Sequence, residues 1–211
     1  YERVFASPDL DFFVAPGSYA NRKMGGSSPF LVTQGTLRRH GKGFIQEIDM
    51  RTHTAKRPAP WYTVAFNTWH DEADSIAGLR REFAQCLIED VSCWWFDMWG
   101  GFYQEKRVRD AIAQMKRIWD ASRGRRPQSM AQIAVVMDPE SALYLDQANP
   151  RINAFTTGLN HTLPHLGAPS TIFSWGDLET LDLSPYRLVV FPNLFVMDEA
   201  RRTGLKSHKI K

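Results

Sequence analysis

Glu47, Asp49 and Arg51 alternate along GKGFIQEIDMRTH, residues 41–53. Successive side chains of an extended strand point to opposite faces. These three therefore share a side with Ile45, while Phe44, Gln46, Ile48 and Met50 share the other. Two acids and a guanidinium on one strand face fit two arrangements. Arg51 forms a structural ion pair with one acid, or the group lines a site where one carboxylate reacts and the arginine keeps it ionised.

Two other stretches hold groups that complement such a site. APGSYANR, residues 15–22, offers Ser18, Tyr19, Asn21 and Arg22; SCWWFDMWGGFY, residues 92–103, offers Trp94, Trp95, Asp97, Trp99 and Tyr103. Carboxylates beside aromatic rings suit carbohydrate. Sugars present C–H faces for stacking, and a glycosidic bond needs one acid for the leaving oxygen and a second carboxylate as nucleophile or base. Each residue also has a plainer use. Trp94 and Trp95 fit a core, and Asp97 within an apolar run requires a partner. His53, His70, the RRE run 80–82 and the EKRVR run 105–109 read as solvated surface. Ser141 lacks the G-x-S-x-G context of a nucleophile elbow. Gly100-Gly101 lacks the spacing of a phosphate loop.

The elements that must position these groups follow from hydrophobic periodicity. Strands are expected at 10–16, 43–51 and 91–103, and helices at 29–39 (capped by Ser28, with Pro29 first), 72–89 and 104–122. The stretch 52–72, with Pro58, Pro60, Trp61 and Trp69, reads as loop. A polar Gly/Pro break at 122–129 separates this part from a second: strands 131–138, 169–175 and 186–193, with a helix at 150–166 weakened by Gly158 and Pro164. Alternating strands and helices imply parallel α/β architecture in both parts. Ligands of such folds bind at the carboxyl ends of strands. The stretches singled out above lie at such ends.

Composition narrows the function classes. The 211 residues are 43% apolar and 23% charged, with a net charge of +3. That charge is too small to argue for nucleic acid. No apolar run reaches membrane-helix length and no signal peptide is visible, so a cytoplasmic location is favoured over a secreted one. Cys86 and Cys93 imply neither a disulfide framework nor a zinc site, and no cofactor or metal is expected. The chain starts at Tyr1 inside what reads as domain material, which points to a fragment.

LRRHGKGFIQEIDMRTH, LRREFAQCLIEDVSCWWFDMWGGFY and AQIAVVMDPES with LVVFPNLF together resemble glycoside hydrolase family 42 and related beta-galactosidase-like proteins. The resemblance implies the carboxyl-terminal part of a catalytic (β/α)8 TIM barrel (strands six to eight, residues 1–125). A partial flavodoxin-like, glutamine-amidotransferase-like trimerisation domain would follow at 130–211. It implies a retaining glycosidase of carbohydrate metabolism with Glu47 at the nucleophile position and Asp49 as the alternative nucleophile or a site carboxylate. Tyr19, Arg51, Trp94, Trp95 and Asp97 would touch the sugar. The family's acid/base follows strand four, before the chain begins, so the isolated chain is expected to be inactive. The implied partners are a carbohydrate substrate and, for the whole protein, further copies of itself in a trimer. A non-catalytic carbohydrate-binding or assembly protein on the same scaffold is the alternative. A nucleotide- or amidotransferase-like function of the second part is disfavoured, because residues 131–211 hold neither a phosphate-binding glycine pattern nor a cysteine.

Overall fold

The computed structural model describes residues 2–55, 68–125, 128–146, 148–155 and 157–208. The protein is mixed α/β, with two three-stranded, wholly parallel sheets. It divides into two compact units: Phe12–Leu31 with Gly43–Gln128, and Tyr1–Asp11 with Val32–Lys42 and Ser129–Lys211. The division differs from the boundary expected at 122–129 by assigning two early segments to the unit of the second sheet. The expected loop residues Pro58, Pro60 and Trp61 lie outside the described residues.

In the first unit, β1 (Phe12–Pro16), β2 (Gly43–Ile48) and β3 (Ser92–Trp95) form a sheet with β2 central. One face packs against α3 (Glu72–Ile88) and α4 (Lys106–Ser122). Ile48 and Met50 meet Leu79, Phe83, Val108 and Met115 there in a buried cluster. Asp71 caps α3 by accepting from the Asp74 amide at 2.8 Å, an N-cap that satisfies an otherwise orphan donor. The other face is open. Phe12, Val14 and Trp94 are 55%, 47% and 43% exposed, and register sets them on the side of Ile45 and Glu47.

In the second unit, β4 (Ile133–Met137) lies between β5 (Ser170–Ser174) and β6 (Leu188–Val190). Both faces of β4 are covered. Ala134 packs with Phe173, Leu178, Leu181 and Leu183, while Ile133 and Val135 pack with Leu163. The unbroken apolar run IAVVM is what two buried faces require. The same unit contains α1 (Glu2–Ala6), α2 (Gln34–Arg39), α5 (Pro139–Leu143), α6 (Pro150–Phe155), α7 (Thr157–Thr162) and α8 (Glu199–Ser207). Helix α2 reaches β5 through Gly35, where a Cβ would come within 2.4 Å of the Phe173 ring, and through Thr36, whose hydroxyl donates to Asp177 at 2.6 Å.

The strands expected at 43–51 and 186–193 shorten to Gly43–Ile48 and Leu188–Val190, so that Asp49 and Arg51 lie just past the end of β2. Three further expected elements differ. The helix placed at 29–39 begins only at Gln34. Ser28 has φ 42°, and Pro29 accepts from the Ser18 amide at 3.1 Å, so residues 28–30 continue the first unit's loop. The strand expected over 91–103 stops at Trp95, because β2 offers no partner beyond Ile48; a turn through Gly100 and Gly101, at φ 78° and 92°, follows. The helix expected at 150–166 is broken into α6, α7 and a 3-10 turn at Leu163–His165, where Pro164 withholds an amide donor.

Candidate functional site

The carboxyl end of β2 gathers side chains from all three strand ends of its sheet. After β1 the chain turns at Gly17, where a Cβ would lie 2.7 Å from Ser28 Oγ and 2.8 Å from Gln46 Nε2. A 3-10 turn, Tyr19–Asn21, then carries the chain to Arg22. Arg22 is fully buried: Nη1 meets Asp49 Oδ1 at 2.5 Å, Nη2 donates to the Gly17 carbonyl at 2.9 Å, and the guanidinium lies 3.6 Å from the Tyr19 ring centroid. Asp49 Oδ2 accepts from the Tyr19 hydroxyl at 2.7 Å and from Arg51 Nη1 at 3.1 Å. Arg51 Nη1 also donates to the Asp49 carbonyl at 3.0 Å, and its guanidinium faces the Trp99 ring at 5.3 Å. Two buried guanidiniums therefore share one buried carboxylate. Such a cluster is costly to break, since each partner left alone would be an uncompensated charge.

The loop carrying Arg22 is fastened from behind. Arg81 donates to the carbonyls of Lys23, Gly26 and Arg22 at 2.8–2.9 Å and pairs with Glu82 at 2.7 Å. Glu82 is 1% exposed, and burial pushes its carboxyl up despite Arg81. Of the RRE run, Arg80 is exposed as expected, while Arg81 and Glu82 are not a solvated face. The indole N–H of Trp69 donates to the Arg22 carbonyl at 3.3 Å.

Glu47 differs from Asp49 in every respect that matters to reactivity. It is half-buried and makes no hydrogen bond or ion pair among the described residues. Burial raises its carboxyl pKa, the Asp49 charge raises it further, and Arg22 opposes both. Register places Pro16, Glu47 and Trp94 side by side across the sheet, and the Trp94 ring stacks on Phe96 at 5.0 Å. Trp95 points the other way, into the helix-covered core, edge-on to Tyr103 at 6.1 Å. Asp97 is exposed and accepts from the Phe102 amide at 3.2 Å, holding the loop after β3. Tyr103 donates to the Ile48 carbonyl at 2.8 Å, and burial with the Asp49 and Asp97 charges pushes its phenol up.

The structure thus brings Tyr19, Glu47, Asp49, Arg51 and Trp94 to one strand end, with Asp97 at the neighbouring end and Trp95 on the opposite face. Arg22, Arg81 and Glu82 complete the arrangement. Sequence reasoning noted Arg22 only as a polar group after β1, and nothing in its spacing marks it as the partner of Asp49. His53 is not a bare surface residue: its amide and Nδ1 both meet Ser75 Oγ, at 3.1 and 2.9 Å, and Nε2 lies 3.2 Å from Glu105. His70 is exposed.

The second unit carries its own polar cluster at the carboxyl end of β4. Asp138 caps α5, accepting from the Glu140 and Ser141 amides at 3.1 and 3.2 Å and from Ser141 Oγ at 2.5 Å. Arg201 of α8 donates to Asp138 at 2.7 Å and to Glu140 at 2.5 Å. Asn193 accepts from the Asp138 amide at 2.9 Å and donates to the Asp138 carbonyl at 2.7 Å. Ser141 Oγ accepts from the Phe195 and Val196 amides at 3.0 and 2.9 Å. Every group here is engaged by another.

Among the described residues, no group of three or more His, Cys, Asp or Glu side chains is placed to hold a metal ion, and no helix is long and apolar enough to cross a membrane. Comparison with known families, with curated proteins and with solved structures returned no match.

Proposed function

We propose that the first unit supplies the nucleophile side of a retaining glycoside hydrolase of the beta-galactosidase type. One observation carries this reading. Glu47 is a partly exposed carboxylate with no partner among the described residues, at the carboxyl end of a central parallel strand, on the face left open by the helices, with Trp94 beside it. On this reading β1, β2 and β3 are strands six, seven and eight of a (β/α)8 barrel, whose strand ends hold the active site. The second unit is the start of a flavodoxin-like domain through which copies associate, in the parent protein, as a trimer.

Glu47 attacks the anomeric carbon and forms a glycosyl-enzyme. A carboxylic acid about 5–5.5 Å away protonates the departing oxygen and then activates water. Asp49 fills neither role, because both of its oxygens are held by Arg22, Arg51 and Tyr19 in a fully buried cluster. It acts instead on Glu47, its negative charge opposing ionisation while Arg22 favours it. The resemblance to family 42 assigns the proton donor to a fourth strand, which precedes β1 in such barrels. Trp94 offers a stacking face, and Tyr19 borders the same strand end.

A dinitrophenyl fluoroglycoside tests the assignment. Its leaving group departs without protonation and its fluorine slows deglycosylation, so only the nucleophile is needed to trap an adduct. The expected result, with galactoside first among the sugars tried, is a covalent fluorosugar on the peptide spanning residues 43–51, absent in Glu47→Gln. An adduct on another residue overturns the nucleophile assignment. Reversible sugar binding with no adduct favours the non-catalytic carbohydrate-binding reading.

A further inference from the structure

Cys86, near the end of α3, and Cys93, in β3, do not take part in the site above. Four residues separate Ile88 from Cys93, and a tight turn closes there: Asp90 has φ 54°, and the Val91 amide donates to the Cys86 carbonyl at 3.0 Å. The turn brings the two side chains together. The two thiols lie close enough for each to perturb the other's ionisation, while both remain free cysteines. Cys86 is fully buried. Cys93 is only half-buried and lines a pocket of about 160 Å³ with Phe83, Trp95, Met115 and Trp119, beside the stem of Lys116. A water molecule occupies about 30 Å³ of liquid, so the pocket admits an oxidant the size of hydrogen peroxide.

We propose that Cys93 and Cys86 form a peroxide-reactive pair, Cys93 taking the first oxidation and Cys86 resolving it as an intramolecular disulfide. The proposal rests on the first unit's geometry and is independent of the carbohydrate reading. The Cys93 thiolate attacks one peroxide oxygen. The O–O bond breaks, hydroxide leaves, and Cys93 becomes a sulfenic acid. Cys86 sulfur then attacks Cys93 sulfur, the S–O bond breaks, and water departs. In sum, two thiols and one hydrogen peroxide give one disulfide and two waters.

The order of events follows from exposure: Cys86 is fully buried, while Cys93 is half-buried and lines the pocket. The interaction of the two thiols acts in the same sense, lowering the Cys93 pKa and raising that of Cys86, with burial adding to the latter. A thiolate that also faces a pocket is the kind of cysteine that oxidises selectively. The product would tie the last turn of α3 to the strand that holds Trp94 beside Glu47.

The experiment uses the full chain, folded as judged by circular dichroism. It is treated with hydrogen peroxide, denatured, alkylated and mapped by mass spectrometry. The expected wild-type product is monomeric, lighter by two hydrogens, alkylated at neither cysteine, and restored by dithiothreitol. Cys86→Ala should stop at the sulfenic acid, captured by dimedone on Cys93; Cys86→Ser serves equally should the smaller side chain unfold the unit. Cys93→Ser should leave Cys86 reduced and alkylated. Wild type that stays alkylated at both cysteines after peroxide overturns the proposal, as does a disulfide found only between two chains. Dimedone capture on Cys86 of Cys93→Ser, with none on Cys93 of either Cys86 variant, overturns the assigned order.

Discussion

β2 and β4 are both central strands of three-stranded parallel sheets, and both deliver an aspartate to an arginine at their carboxyl ends. They differ in what is left over. β4 is apolar on both faces and covered on both, and the Asp138 cluster closes on itself through Ser141, Asn193 and Arg201. β2 is covered on one face only, and beside its equally closed Asp49 cluster it presents a second carboxylate, Glu47, with no partner among the described residues. A buried ion pair at a strand end is thus no mark of a site by itself. The mark is the polar group that remains unspent next to it.

The sharpest way to break this comparison is Asp49→Ala. It leaves Arg22 and Arg51 buried with no counter-charge, and removal of one partner from a buried ion pair costs about 3–5 kcal/mol. Urea unfolding should register that loss in the first unit. A loss below about 1 kcal/mol would mean that the Arg22–Asp49–Arg51 cluster does not hold the strand end.

Asp138→Ala should cost less, about 1–3 kcal/mol, through a lost helix cap and a charged hydrogen bond. Arg201 is partly exposed and keeps Glu140 and the Val196 carbonyl as partners. If Asp138→Ala proves as costly as Asp49→Ala, the ranking of the two ends is wrong.

Glu47→Gln should change stability least, and with a definite dependence on pH. The Glu47 carboxyl is raised in the folded protein, so the folded state holds its proton more tightly than the unfolded chain does. Stability contributed by this group is therefore greatest in acid and falls as pH rises from the unfolded value through the folded one. Glutamine cannot lose a proton, so the variant should lack that fall and equal or slightly exceed wild type at neutral pH. The group is only half-buried, and the difference should stay below about 1 kcal/mol. A clear loss of stability at neutral pH would show that Glu47 has a structural partner.

The sequence pattern made the long helices and the parallel α/β class legible, because seventeen-residue amphipathic stripes such as Glu72–Ile88 carry strong periodicity. It also drew attention to Glu47, Asp49 and Arg51, although β2 ends at Ile48 and only Glu47 lies within it. It could not separate their roles, since the residue that commits Asp49 to structure is Arg22, twenty-seven positions earlier and brought close only by the fold. Adjacency groups Trp94 with Trp95, although strand alternation sends neighbours to opposite faces. Ser28-Pro29 looked like a helix start because local preference favours it there, but the loop between β1 and α2 is held by Gly17, Phe30 and Phe44 contacts that local pattern does not contain. The burial of Glu82 is illegible for a similar reason: one turn of charged residues gives no hint that a loop will settle over it.

Gly78 shows how far from the strand-end cluster a fault could begin. A Cβ there would lie 2.2 Å from the Trp69 ring, so even alanine, otherwise the better helix former by about 1 kcal/mol, would have to push the indole aside. That indole holds the Arg22 carbonyl, and Arg22 holds Asp49. In a screen of random variants, position 78 is where heat-sensitive alleles should turn up: chains that are sound when cold and lose the strand-end arrangement on warming, with every residue of the site still wild type.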